Sequence, residues 1–541
     1  MRAGFLLLGA PLVLLACGTA DRPTSLTDET SSLSVEARAA LVTRALEGLA
    51  QHPELAQAGE GHSFDARGVI LDSGGQAHVR LERSYRGLRV LGGDVVTHTA
   101  SDGALTVSTT LTAPVTLSIT PTLSPGDAVA VGTLSFVGLP TGESSAELVV
   151  YARSFPARLA YDALVMGVRD DQTPSELHVL VDALSGAVLD SWDAVETGKG
   201  GGNGGGSGGG GTPSTPVVGS GKTLYLGTMN MDTLKLGTGG YELRDQTRGN
   251  QYTLNLANRT SGGSTFTDAD NVWGSSTVLD AATVGTDAHL GEAFTWDYYK
   301  NVHGRTGIAN DGKGAYSRVH YSRNYVNAFW SDSCFCMTYG DGDGVSYSPL
   351  VSLDVAGHEM SHGVTSRTAG LLYSGESGGL NEATSDIFGT AVEFYAANAN
   401  DLGDYLIGER IFINKPGVAL RYMYDPAKDG ASKGCWYSGI GSLDVHYSSG
   451  VANHLFYLLS EGSNPVNGQP ISPTCDGSTV VGIGRAKAEK IWYRALTVYM
   501  TSNTNYAGAR VATLKAATDL YGAGSAELGG VAAAWTAVSV N

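Results

Sequence analysis

His358 and His362 lie one helical turn apart and enclose Glu359 in a His-Glu-x-x-His pattern. On an α-helix the i and i+4 positions share a face, so both imidazoles can reach one divalent metal while the glutamate faces the same cavity. The chemistry such a set serves is zinc-assisted hydrolysis, which takes three protein ligands and leaves a fourth position for solvent. Glu382, twenty residues beyond His362, is the candidate third ligand. Asp386 follows one turn later on the same face, where it can accept the outer N–H of a zinc-bound imidazole. Asn381, beside Glu382, belongs to the same supporting layer.

These motifs carry a family resemblance. His-Glu-Met-Ser-His at 358–362 and Asn-Glu-Ala-Thr-Ser-Asp at 381–386 resemble the signature of the thermolysin-like metalloproteases. Asn327 to Trp330, Tyr339 to Gly344, Leu420 to Met423 and Asp444 to Gly450 resemble further segments of that family, in its order, from about Val217 to the C-terminus. The sequence sides with the vibriolysin and pseudolysin branch. The resemblance implies a two-lobed α+β catalytic domain and peptide-bond hydrolysis with one catalytic zinc ion. It implies Glu359 as the base, His446 and Tyr373 as donors to the oxyanion, and Asp444 as the residue that orients His446. Asn327, the backbone of Ala328 on an edge strand, and Arg421 would position substrate. Leu420, Val355 and Ile407 resemble the lining of an apolar pocket, which implies cleavage on the amino side of bulky hydrophobic residues.

A second cation is expected from hard oxygen ligands. Asp354 precedes His358 by one turn, and Glu393, Asp404 and Glu409 follow Glu382. The resemblance joins these four, with the backbone carbonyl of Leu406, around calcium. Arg410 and Leu406 stand where thermolysin itself has extra acidic groups, so a single structural calcium is expected instead of a pair. The bland alternative is a solvated acidic face. His289, His303, His320 and His454 share no ligand spacing with the motif pair and read as packing residues.

The elements that must hold these residues are legible in part. Thr223 to Leu256 alternates like β-structure, whereas Ala486 to Met500 and Ala507 to Leu520 have helical periodicity. Gly378 and Gly379 break the chain, so the helix carrying Glu382 is expected to start near Leu380. The lobes divide as 217–368, mainly sheet plus the His358 helix, and 369–541, mainly helical, with zinc in the cleft between them.

The chain has 541 residues and a net charge of −18, which suits several domains and an exported protein and argues against nucleic-acid binding. Residues 1–17 read as an export signal, with Arg2, an apolar run from Phe5 to Leu15, and Leu14-Leu15-Ala16-Cys17 resembling a bacterial lipobox. Lipid on Cys17 is the one membrane attachment expected, with ordinary signal cleavage near Gly18-Thr19-Ala20 as the alternative. Residues 18–120 and 121–199 alternate as strands and resemble two propeptide modules that act in the family as folding aid and inhibitor. Apart from Asn203, residues 200–216 are all Gly, Ser, Thr or Pro, a tether that buries no core. Maturation is expected within or just after it, near Val217 or Val218, which would leave any lipid on the prodomain. Cys334, Cys336, Cys435 and Cys475 remain for the exported body; disulfides are favoured in an oxidising compartment, but their pairing stays open, with a Cys-x-Cys metal site as a rival.

The leading function is therefore a secreted zinc endopeptidase, made as an inactive precursor, acting on polypeptides. A zinc aminopeptidase is the runner-up, although the chain lacks the Gly-Ala-Met-Glu-Asn type of segment that would anchor a free amine. A surface-attached peptide-binding protein without catalysis is the third reading.

Overall fold

The computed structural model describes residues 33–197 and 214–541. The expected signal, Cys17 and most of the tether lie outside the described residues. Helices and strands mix throughout in an α+β arrangement, with a prodomain followed by a two-lobed catalytic domain.

The prodomain is built on one 10-stranded sheet. Ala77–Tyr85, a strand by its alternation, pairs with His62–Leu71 and Val95–Thr99. The two expected modules are continuous, because Leu88–Leu91 from the first runs parallel to Ser145–Tyr151 from the second. Their cores remain separate: Val79, Leu81 and Val95 pack under helix Val35–Gln51, and Ala163, Val179 and Val181 pack with Ala128 of helix Pro125–Ser135.

In the catalytic N-terminal lobe, the strands Gln251–Asn255, Tyr316–Tyr321, Cys336–Gly340 and Ala328–Ser331 form a sheet crossed by helix Ala281–His303. Ala328–Ser331 is the edge of the catalytic domain's own strands. Prodomain strand Val195–Thr197 adds to that edge, antiparallel, with Glu196 opposite Trp330 and Thr197 opposite Phe329.

Two helices bring the metal ligands together. Leu353–Ser366 carries His358 and His362, and Gly375–Ala396 carries Glu382. They approach at Gly357 and Gly389: a Cβ on Gly389 would lie 2.4 Å from the Asp354 carbonyl oxygen, so only glycine permits this crossing. The second helix starts at Gly375, five residues earlier than the expected Leu380. Gly378 continues the helix because its bare face is pressed on Val445, whose Cγ1 would be 2.4 Å from a Cβ. Close packing, not chain breaking, explains that glycine.

The C-terminal lobe is helical as expected. Arg485–Arg494 runs into a π-helical turn at Ala495–Tyr499, and Tyr506–Tyr521 follows. Val217 and Val218 lie inside strand Thr215–Lys222, opposite Thr233 and Asp232. The cysteines pair as Cys334–Cys336 and Cys435–Cys475, which removes the Cys-x-Cys metal reading.

Candidate active site and metal centres

His358, His362 and Glu382 converge, with one ligand atom from each within 4.8 Å of the others. The two Nε2 atoms are 3.0 Å apart, and Glu382 places Oε2 3.6 Å from His358 and Oε1 3.4 Å from His362. A tetrahedral zinc with ligand bonds of about 2.0–2.2 Å separates its ligands by roughly 3.3 Å, so the set fits zinc. Each imidazole is oriented from behind. His358 Nδ1 meets Asp386 Oδ1 at 2.8 Å, and His362 Nδ1 meets Asn381 Oδ1 at 2.8 Å. With those contacts the outer nitrogens carry the protons and the Nε2 atoms are left with lone pairs facing the metal position. Burial holds the His362 pKa down to about 3, which keeps the ring neutral and ligating. Burial alone would raise Glu382, but His446, His358 and His362 override it and hold it below the usual range.

Glu359 is buried, and its Oε2 has no hydrogen-bond partner among the described residues. Burial, with Glu382 nearby, pushes its carboxyl well above the ordinary glutamate value, the environment of a group that exchanges a proton. His446 Nδ1 is held 2.6 Å from Asp444 Oδ1, and Asp444 also caps the short helix Val445–Ser448 by accepting from the His446 N–H. Burial is outweighed by Glu382 and Asp444, so the His446 pKa rises above its ordinary value. His446 Nε2 is 3.4 Å from the Tyr373 hydroxyl, which donates to Glu382 Oε1. The two expected oxyanion donors therefore flank the metal position together.

Ala328 lies on the edge strand, and its N–H donates to Asn327 Oδ1 at 2.9 Å. Arg421 also holds a partner that the sequence did not signal. Its Nε and Nη2 grip both oxygens of Asp386 at 2.7 and 2.6 Å, and Asn453 adds a third donor. Arg421 thereby supports the His358 ring through Asp386, whose pKa it depresses strongly together with His358. Leu420 donates its N–H to the Ile407 carbonyl at 2.7 Å, and both pack in the same core as Val355.

A second cluster joins Glu393, Asp401 and Glu409 within 4.8 Å. Glu393 Oε1, Asp401 Oδ2 and Glu409 Oε2 are all buried without partners among the described residues. Burial, then neighbouring carboxylates, drives Asp401 to about 7 and Glu409 to about 9. Oxygen-only donors in mutual repulsion fit calcium. Asp401 is the residue that sequence reasoning missed. The expected Asp354 and Asp404 stand beside the cluster: Asp354 accepts from Ser352 Oγ and the Gly408 N–H, and Asp404 accepts from the Leu406 N–H at 2.7 Å. Arg410 reaches Asp401 at 3.2 Å and neutralises one flank, which suits a single ion.

The prodomain enters this site. Val195 is buried against Leu256, Tyr321, Tyr325 and Phe329, and Glu196 Oε1 accepts from Asn381 Nδ2 at 2.8 Å. Trp192 and Leu91 cluster with Leu372 and Tyr373.

Paired imidazoles, a carboxylate from the next helix, and a buried glutamate between two lobes define a zinc-peptidase type of site. Residues 218–366 match the thermolysin metallopeptidase catalytic domain, residues 369–540 its alpha-helical domain, and residues 63–107 the fungalysin/thermolysin propeptide motif. The chain is 50% identical over 482 residues to a transglutaminase-activating metalloprotease of Streptomyces mobaraensis, covering 87% of this chain and 60% of that protein's length. It is 39% identical to thermolysin of Alicyclobacillus acidocaldarius, with 87% and 85% covered, and 41% identical to bacillolysin of Bacillus caldolyticus, with 73% and 69% covered. The chain belongs to the thermolysin family of zinc metallopeptidases, whose members also carry structural calcium.

Proposed function

We propose that this chain is the exported precursor of an endopeptidase that hydrolyses polypeptides on the amino side of bulky apolar residues and matures by cutting its own prodomain linkage. His358, His362 and Glu382 would hold zinc, which when bound would supply Lewis-acid polarisation to the peptide carbonyl and to a water molecule. Glu359 takes the water proton and delivers it to the departing amine nitrogen. His446 Nε2 and the Tyr373 hydroxyl donate to the carbonyl oxygen as it becomes tetrahedral, each such donor being worth about 3 kcal/mol. Substrate adds as a strand at Ala328, aided by Asn327. Arg421 orients the site through Asp386, and Leu420, Val355 and Ile407 are assigned to the apolar pocket.

The observation that carries this reading is Glu359, buried beside the three converging ligands with an oxygen free to accept a proton. Strand Val195–Thr197 occupies the edge on which a substrate would pair, which supports inhibition by the prodomain. The maturation cut is assigned to residues 198–214, before Thr215, since cutting at Val217 would require unpairing it from Thr233. Lipid on Cys17 would then anchor the prodomain alone; among the described residues no helix is long and apolar enough to cross a membrane. The test is casein hydrolysis by the processed protein with and without a zinc chelator, together with N-terminal sequencing. Activity that survives chelation removes the metallopeptidase mechanism, and a mature start before Lys199 or after Thr215 removes the assigned cut.

A further inference from the structure

His446 stands on a helix of only four residues, Val445–Ser448, and the chain passes through Ser449 directly into helix Gly450–Glu461. The last carbonyls of a helix lack intrahelical donors, and a helix that follows at once would ordinarily continue the ladder through the join. Here each is met from outside that ladder. The His446 carbonyl accepts from Ser449 Oγ at 2.7 Å, that of Tyr447 from the Lys433 N–H at 3.0 Å, and that of Ser448 from the Tyr506 hydroxyl at 2.6 Å. Ala452, whose N–H would meet Ser448 in a continuous helix, donates to the Ser449 carbonyl at 3.0 Å instead. A side chain that takes a ladder carbonyl fixes a break at a defined place. The His446 helix is therefore aimed independently of the helix that follows it.

Tyr506 is fully buried and is pinned to the helix that carries Glu382. Its N–H donates to Glu376 Oε2 at 2.8 Å, and Trp436 Nε1 donates to Glu376 Oε1 at 3.1 Å. Its hydroxyl lies over Gly379, where a Cβ would stand 2.7 Å from that oxygen and 2.6 Å from Ser448 Oγ. Gly379 lies three residues from both Glu376 and Glu382, so it neighbours each on the helix surface. Burial, with Glu376 nearby, raises the Tyr506 hydroxyl well above its ordinary pKa, which keeps it a donor.

We propose that Tyr506 is a positioning residue for His446, tying the end of its short helix to the Glu382 helix and so setting its reach to the oxyanion. This rests on the role given to His446 in the proposed function. His446 Nε2 lies 3.5 Å from Glu382 Oε1 and 3.4 Å from the Tyr373 hydroxyl, spacings that depend on how the two helices meet. A misplacement of about 1 Å in a group that meets developing charge costs up to about a hundredfold in rate. Pairing of substrate with the edge strand at Ala328 does not pass through Tyr506, so the loss falls on kcat and not on KM.

The test is steady-state kinetics of the mature zinc enzyme on a peptide substrate, for Tyr506→Phe, His446→Gln and the two combined. Tyr506→Phe keeps the ring and the N–H bond to Glu376. It is expected to retain zinc, to lower kcat about tenfold and to leave KM unchanged. In the His446→Gln background the same change should have little further effect, because the group it positions is gone. Glu376→Gln sets an amide nitrogen against one of its two donors, and this second route to the same loosening should also lower kcat at unchanged KM. A native kcat in Tyr506→Phe, or an equal loss with and without His446, overturns the positioning role and leaves the His446 assignment standing. A native kcat in His446→Gln overturns both. Where Tyr506→Phe does not accumulate, Glu376→Gln decides: a kcat loss that vanishes in the His446→Gln background supports the role, and a native kcat overturns it.

Discussion

Asn381 turns its two ends to two different domains. Its Oδ1 accepts from the imidazole of His362, the proposed zinc ligand, at 2.8 Å, and its Nδ2 donates to prodomain Glu196 at 2.8 Å, 185 residues away in sequence. The group that orients a metal ligand is thus also the anchor of the inhibitory strand.

Glu196→Ala is therefore expected to weaken inhibition by the cleaved prodomain. Leaving the buried Asn381 Nδ2 without this acceptor costs about 1–3 kcal/mol, which corresponds to roughly a five- to hundredfold rise in Ki. Burial pushes the Glu196 carboxyl well above the ordinary glutamate value, so docking favours its uncharged form; Glu196→Gln keeps the accepting oxygen on a group that needs no proton to be neutral, so its Ki should equal or fall below that of the native prodomain. Titration of active enzyme with the separated prodomain variants measures both, and an unchanged Ki for the alanine form would show that Glu196 is a bystander.

Glu359→Gln should lower kcat on casein or a peptide substrate by about two to four orders of magnitude, the usual range for a lost general base. If maturation is autocatalytic, the same protein accumulates uncut between residues 197 and 215. Normal maturation of this variant would assign the cut to another protease.

What the sequence revealed follows the range over which each interaction acts. His358, Glu359 and His362 are legible because a helix fixes their relation within five residues, and Asp386 because it is one turn from Glu382. Asp401 was missed because it lies on a loop and reaches Glu393 and Glu409 only through tertiary packing. Glu196 carried no signal at all, since strand pairing with Trp330 joins distant parts of the chain. The Gly378-Gly379 pair reads locally as a breaker, whereas contact with Val445 makes Gly378 a packing requirement. Arg421 was assigned to substrate by resemblance, and its grip on Asp386 could not be read from its position in the chain.

Asp386→Asn should weaken zinc binding by about ten- to a hundredfold, as expected when a metal-bound imidazole loses its charged outer acceptor. The change keeps the volume of a fully buried site that Arg421 and Asn453 also use. Competition with a zinc chelator, read by metal content, checks it. Unaltered affinity would mean that Asp386 serves Arg421 and the fold instead of the His358 ring.

Acid should loosen the prodomain through His98. Its Nδ1 faces His78 at 2.8 Å, its Nε2 faces Ser108 at 2.8 Å, and Tyr499 covers it from the catalytic domain. Burial, then the neighbouring His78 and the positive charges of Lys515, Arg494 and Arg80, hold its pKa well below 6.5. In the separated prodomain the ring loses the cover of Tyr499 and the charges of Lys515 and Arg494, so its pKa rises and in acid the free form binds more protons than the complex. The complex is therefore most favoured at neutral pH and weakens as pH falls, by at most about tenfold per unit from this one group. Ki measured from pH 7.5 to 5.5 should rise accordingly, and His98→Gln should flatten that part of the curve. A slope unaffected by the substitution would place the pH response elsewhere.

Calcium removal should cost stability for a reason that one substitution can isolate. Glu393, Asp401 and Glu409 point buried, unpartnered oxygens at one another, and Asp354 and Asp404 add to the repulsion. Without a cation, deleting one of these charges relieves strain; with a cation, it deletes a ligand. Asp401→Asn is thus expected to raise Tm in a calcium chelator and to lower it in millimolar calcium relative to the unaltered protein. Arg410, partly exposed, loses a partner at little cost, because water can replace a contact at the surface. Thermal unfolding of both proteins in the two conditions gives the comparison. If the substitution lowers Tm equally with and without calcium, Asp401 acts through Arg410 and packing, and the acidic cluster is not an ion site.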